Sequence, residues 1–291
     1  WQWNYTNPVA HANNHLQVAE SPTGQVYVSD TIQYTIFELD SDGNEVDTLG
    51  GTGPEPGNFN FGNPNAGMYG GQLGFDSNSN LYAFDSAYDR VQKFSPDNTL
   101  VTFWEIPEID NPNNSFPFRF VVGAVDPTNE RVYVAAQVTP QVYVYDLDGN
   151  LLSSWGTPGR DAGQLSTPSA IAVASDGTLW IADQSISRIQ HFDADGNYLG
   201  SIGERGGGPG QVNQVLGLAV DGDDNIYVAE AGNGRVQILR PDGSSVMIFN
   251  SVPELGRIIR PNSLWVGSDG VLYVADARYE RVIKLQLPSQ G

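Results

Sequence analysis

The sequence predicts an all-β chain in which one four-stranded unit is repeated six times around a closed ring. Three observations carry that expectation. A strand of the form apolar-Tyr-Val-x-Asp recurs around Tyr27, Tyr82, Tyr133, Trp180, Tyr227 and Tyr273, at intervals of 46 to 55 residues. Short runs of Val, Ile, Tyr and Trp lie between the recurrences, divided by Asp-Gly and Gly-Asn turns. With 33 Gly and 18 Pro in 291 residues, the chain is punctuated too often for long helices.

The clearest copy, "TPSAIAVASDGTLWIADQSISRIQHFDADGNYLGSIG", shows each element in turn. The first strand is Ser169–Ala174, whose small and β-branched residues suit the crowded axis of a ring. Asp-Gly then turns the chain into a second strand, Thr178–Ala182. The third strand is Arg188–Asp193, and Asp-Gly-Asn leads into a fourth, Asn197–Ile202. Four-stranded units of this period match the blades of a six-bladed β-propeller, in which each blade buries its faces against two neighbours. The reading is one domain over residues 1–291. Closure needs one more strand, because Val271–Ala275 and Arg281–Leu287 have no outer partner after them. "WQWNY" (Trp1–Tyr5) has the aromatic, β-prone character of the outer strands Leu151–Gly156 and Leu100–Glu105. It is predicted to pair with Arg281–Leu287, with Trp3 in the place of Trp155.

Comparison of the blades separates scaffold from candidate site. An acid ends the second strand at Asp30, Asp85, Asp183, Glu230 and Asp276, and an Arg opens the third at Arg90, Arg188, Arg235 and Arg281. Repetition at the two ends of one loop predicts a structural ion pair within each blade that carries both. The turn "DxDGN" at Asp40–Asn44, Asp146–Asn150 and Asp193–Asn197 begins like a calcium loop, but lacks the later ligands. It is read as turn chemistry.

Net charge is −20, with 14 Lys and Arg against 34 Asp and Glu. That excludes nucleic acid as a natural partner, since phosphate binding needs a basic surface. No run is long and apolar enough for membrane insertion. With no Cys, disulfides and thiolate metal sites are excluded. The first residue is Trp, which points to a processed or excised chain and so to an extracellular or cell-surface location.

The pattern of a Gly-Gln turn, an apolar inner strand, an Asp-rich turn, Tyr-Val-Ala-acid and Arg-Val-Gln is best seen in "PGQVNQVLGLAVDGDDNIYVAEAGNGRVQILRPDG" (Pro209–Gly243). It resembles the NHL-repeat family of β-propellers, and in weaker form the resemblance runs along the whole chain. The resemblance implies the fold. It leaves function open, because related propellers include binding modules, lyases and hydrolases. A peptidyl-hydroxyglycine-lyase likeness would imply zinc held by three blade histidines. Of the three histidines only His15 falls at such a position, with His11 in a loop and His191 expected to face solvent. A lactonase likeness would imply calcium among carboxylates and amides at the axis. Of those only Asn14, Gln72 and Asn262 are available, beside His15 and without an inner acid.

The channel mouth on the long-loop face is expected at His15, Gln72, Val122, Ala170, Gly217 and Ser263. Along the first strands Gln17, Gly74, Ala124, Ala172, Ala219 and Trp265 occupy one position, and Trp265 is out of pattern. It either fills the junction of the last and first blades or forms an aromatic wall in the channel. Turns between first and second and between third and fourth strands share one face, which is rich in acids such as Asp148, Asp176, Asp195 and Asp223. The opposite face carries the second-to-third loops and the long inter-blade connections 49–71 and 104–120. Long loops in a compact domain are usually functional. Binding anchors are therefore expected at Phe61, Tyr69, Phe116, Phe118 and Arg119, and at Arg257, Arg260, Arg278 and Tyr279. The resulting expectation is a non-catalytic recognition module for a protein or carbohydrate ligand, with no cofactor. The alternatives are a metal-dependent lyase or lactonase-like hydrolase with a channel Ca or Zn ion, and a structural subunit of a surface assembly.

Overall fold

In the computed structural model, residues 1–4, 15–61, 70–107, 121–137, 140–267 and 269–287 are described. They form six four-stranded antiparallel sheets and one two-stranded hairpin, with no helix among the described residues. Each sheet is a blade with its strands in chain order from the axis outwards. Blade one runs Leu16–Glu20, Val26–Asp30, Thr35–Leu39 and Glu45–Gly50. Blade four, the clearest repeat in the sequence, runs Pro168–Val173, Leu179–Asp183, Arg188–Phe192 and Tyr198–Ile202. The sixth closes the ring. Its inner strands Pro261–Val266, Val271–Asp276 and Arg281–Gln286 are completed by Gln2–Asn4, with Trp3 opposite Val282. Trp155 stands opposite Val142, one residue into its own third strand, so Trp3 occupies the equivalent register. Tyr5, the last residue of the expected closing strand, lies outside the described residues.

The core is six separate apolar clusters, one at each junction between adjacent blades. This is the physical reason for the ring. A single blade is apolar on both faces and can bury them only against two neighbours. At two junctions an outer-strand tryptophan lies over the glycine of the next blade's Asp-Gly-Asn turn. Trp104 covers Gly149 and Trp155 covers Gly196, both in the left-handed region that only glycine adopts without strain. At the closing junction two residues divide the work. Trp1 covers Gly43, while Trp3 packs 5.5 Å from Phe37 and donates from Nε1 to Glu45 Oε1 at 3.1 Å.

Near the axis, side chains rivet one blade to the next. Ser29 Oγ donates to Gly71 O (2.6 Å), Ser86 Oγ to Val121 O (2.9 Å), Ser169 Oγ to Val215 O (2.7 Å) and Asn262 Nδ2 to Leu16 O (2.6 Å). Register breaks beside Ser169 and Asn262 turn these residues out of their own ladders and towards the neighbouring blade.

Candidate functional site

The repeated acid and Arg are scaffold, as repetition predicts, but they act on a wider group than each other. In blade five Arg235 Nε meets Glu230 at 2.6 Å, and its terminal nitrogens donate to the carbonyls of Gly207, Gly208 and Gln211. Glu230 accepts the Asn213 N–H, and Gln237 accepts from Gly210 N and donates to Gln211 O. The preceding inter-blade loop is thus stapled at both ends by Arg-x-Gln and the acid. Arg90 with Asp85 does the same in blade two at 2.8 Å. In blade six Asp276 and Arg281 are 3.5 Å apart. Blade four corrects the expectation. Asp183 spends its oxygens on Ser166 N, Thr167 N and Ser185 Oγ, while Arg188 donates to the Asp161 and Gln164 carbonyls without meeting Asp183. Only its terminal nitrogen is used, and Arg188 Nε, the atom that meets the acid in blades two and five, is buried without a hydrogen-bond partner among the described residues. The Gln of Arg-x-Gln at Gln92, Gln190 and Gln237 was the available signal for this staple.

The Asp-x-Asp-Gly-Asn segments are turns. Asp40, Asp146 and Asp193 each accept two backbone N–H groups and the Asn side chain of their own turn. These bonds hold the exposed Asp40 and Asp193 carboxyls below the usual range. Burial acts the other way on Asp85, pushing it up to about 6 despite the Asn60 N–H and Arg90.

The six first strands enclose an axial cavity of about 590 Å³. Of the expected mouth residues, Gln72, Ala170, Gly217 and Ser263 line it. His15 and Val122 do not; both are fully buried, and Gly123 takes the lining place in blade three. Burial first, and then the Arg260 charge, brings His15 down to about 3, so the ring is neutral across the physiological range. Asn262 is committed to the blade rivet described above, and Asn14 lies outside the described residues. His191, expected to face solvent, is half-buried. It stacks on Trp180 at 4.1 Å and lies 2.7 Å from Thr178 Oγ1. Among the described residues no three His, Asp or Glu side chains converge in a geometry that could hold a metal.

Trp265 takes both roles foreseen for it. It lines the cavity and packs against the apolar clusters at the junctions on both sides of blade one. The cavity also reaches the turn face, since Asp126–Thr128, Ser175, Asp221–Gly222 and Gly267 belong to first-to-second turns.

On the long-loop face the expected anchors separate. Phe61 is fully buried and stacked 4.8 Å from Phe59, where it fills the core between blades one and two. Tyr69, Phe116, Phe118 and Arg119 lie outside the described residues. The blade-six group is brought together. Arg281 donates to Leu255 O and Arg257 O, and its guanidinium lies 4.7 Å from the Tyr279 ring. Asp276 accepts from the backbone of Ile259, Arg260 and Arg278. One buried acid–Arg pair thus fixes both loops, with Arg257, Arg278 and Tyr279 exposed and Arg260 half-buried.

Comparison with known proteins agrees with this architecture. The NHL repeat matches residues 213–239, the blade-five segment that carries the complete staple. The chain is a six-bladed propeller bearing an NHL repeat. Among solved structures, it is similar to a catalytically inactive virginiamycin B lyase from Staphylococcus aureus with quinupristin, at 15% identity and TM-score 0.65 over 100% of this chain and 88% of that one. A streptogramin B lyase gives 14% and 0.65 over the same shares. Kuenenia stuttgartiensis hydrazine synthase gives 12% and 0.64 over 98% and 99%. At such identities the likeness is one of fold. No curated protein sequence matches.

Proposed function

We propose that this NHL-type propeller is a non-catalytic recognition module that binds an acidic protein surface through the long-loop corner of blade six, outside the cell or at its surface. One observation carries the reading: the Asp276–Arg281 pair and its carbonyl and N–H bonds hold two loops so that Arg257, Arg260, Arg278 and Tyr279 share one patch. In a chain of net charge −20, a fixed group of arginines is a local reversal of sign. Arginine and tyrosine give bidentate hydrogen bonds and rigid contact area, which is why they anchor interfaces.

The test uses an immobilised acidic polypeptide, poly-glutamate, and the charge-reversal double variant Arg257→Glu/Arg278→Glu. Both side chains are exposed, so the variant keeps the fold. Retention of the wild type that fades with salt and disappears in the variant supports the reading. Equal retention of both proteins, or none of either, sinks it. The lyase alternative rests on the fold likeness alone.

A further inference from the structure

The axial cavity presents a second surface, at the opposite end of the propeller from the blade-six corner and independent of its reading. Its volume of about 590 Å³ lies in the range of small-molecule sites. The wall is made by small residues of the first strands, such as Gly74, Gly123, Ala124, Ala172 and Ala219. Larger side chains are kept out of part of this ring by close packing. A Cβ on Gly217 would meet the backbone of Ser263, and one on Gly74 would meet Val125. One wall position is a large aromatic, the half-buried Trp265.

The polar groups of this cavity have one character. No Lys or Arg lines it, and Asp126 and Asp221 do. More carboxylates stand at the turn-face end. Asp224 accepts from Ser175 N and Oγ, and Glu20 and Asp269 flank the place where a Cβ on Gly267 would stand. Blades one, three, five and six thus each bring negative charge to the rim. Arg131 pairs in register with Asp126, but it lines a separate outer crevice with Asp176, Asp193 and Asp195. Gln72 lines the cavity away from this rim, and its Oε1 is buried in the wall, out of a ligand's reach.

We infer that the axial cavity binds a small organic ammonium ion with an apolar body, admitted through the carboxylate-rimmed turn face. Each feature selects for that class. A narrow cleft with low-dielectric walls concentrates the field of its rim charges and draws cations in. An indole wall favours a cation over a neutral molecule of the same shape. Small apolar residues take up a hydrocarbon body. Anions are repelled by the rim and find no basic group within.

The experiment is calorimetric titration with 2-phenylethylammonium, butylammonium and benzyltrimethylammonium at millimolar concentration, with 2-phenylethanol as the neutral isostere. Binding of an ammonium probe at one site per chain is expected, weaker by severalfold on raising salt from low to about 0.5 M. 2-Phenylethanol is expected to bind at least about fivefold more weakly. Glu20→Gln/Asp269→Asn leaves every hydrogen-bonding shape in place and is expected to weaken binding and flatten its salt dependence. Trp265→Leu is expected to lose about fivefold, with affinity restored in Trp265→Phe. Binding of 2-phenylethanol as tight as that of its ammonium counterpart overturns the inference, as does silence from all three ammonium probes. Unchanged affinity in both the rim and the Trp265 variants would place any observed site elsewhere and equally overturn it.

Discussion

Replacement of Trp3 by alanine tests whether the N-terminal strand closes the ring. Trp3 is 4% exposed and sits in the cluster shared by blades six and one, against Phe37. Removing a large buried aromatic costs about 3–5 kcal/mol, because the cavity left behind collapses only in part. Its Nε1 bond to the Glu45 carboxylate is partly buried and contributes roughly another 1 kcal/mol. A total near 5 kcal/mol corresponds to a fall in Tm of about 8 °C for a domain of this size. Scanning calorimetry at one fixed scan rate measures it. Trp155→Ala is the internal comparison. Trp155 is in the same register of blade three but only half-buried, and its blade is held by continuous chain on both sides, so its loss is expected to be smaller. Deleting residues 1–4 is expected to lower Tm further than Trp3→Ala, since the backbone pairing with Arg281–Ile283 goes too. A Trp3→Ala melt within a degree of the wild type would refute the closure reasoning.

Three further outcomes follow from the staples and turns. Arg235→Ala leaves Glu230 buried without its cation and frees three loop carbonyls, so urea denaturation is expected to show a loss of about 3–5 kcal/mol. Arg188→Ala, with no ion pair to break, is expected to lose clearly less; equal losses would mean that the pair adds nothing to the carbonyl bonds. Gly196→Ala forces an L-residue to φ +87° against the Trp155 ring and is expected to cost roughly 1–3 kcal/mol, while Gly200→Ala, with open space around its Cβ, stays within about 0.5 kcal/mol. Asp85 supplies the pH test. Its folded value near 6 lies above the ordinary 3.8, so the stability it contributes is present below about pH 4 and is lost as pH rises through 6. The stability advantage of wild type over Asp85→Asn is therefore expected to shrink between pH 4 and pH 7. An advantage that grows would show that Arg90 outweighs burial.

Some of this was legible in the chain because it depends on local pattern. The recurrence of Tyr27, Tyr82, Tyr133, Trp180, Tyr227 and Tyr273 marked the second strands, and each lies in one. The Asp-Gly-Asn segments announced tight turns because their bonds run within five residues. The acid–Arg repeat read as scaffold, since a feature present in four blades cannot specify one catalytic site. Phe61 was misjudged for a definite reason: a phenylalanine in a long connection looks the same whether it faces a partner or a blade junction. The stack of His191 on Trp180 was hidden too, because the two residues lie on different strands.

Sequence alone determined the unit, the number of blades, the strand that closes the ring and the exclusion of thiolate metal sites. All of these follow from residue type and spacing along the chain. Only the tertiary structure decided how the blades are riveted, that Asp183 and Arg188 do not meet, that Arg257, Arg278 and Tyr279 share a corner, and that the axial cavity reaches the acidic turn face. Those features join residues that are close in space but separated by one or more strands, or by the whole circumference in the case of Asn262 and Leu16. No local pattern fixes the shape of the space between them. Packing of each blade against its two neighbours does.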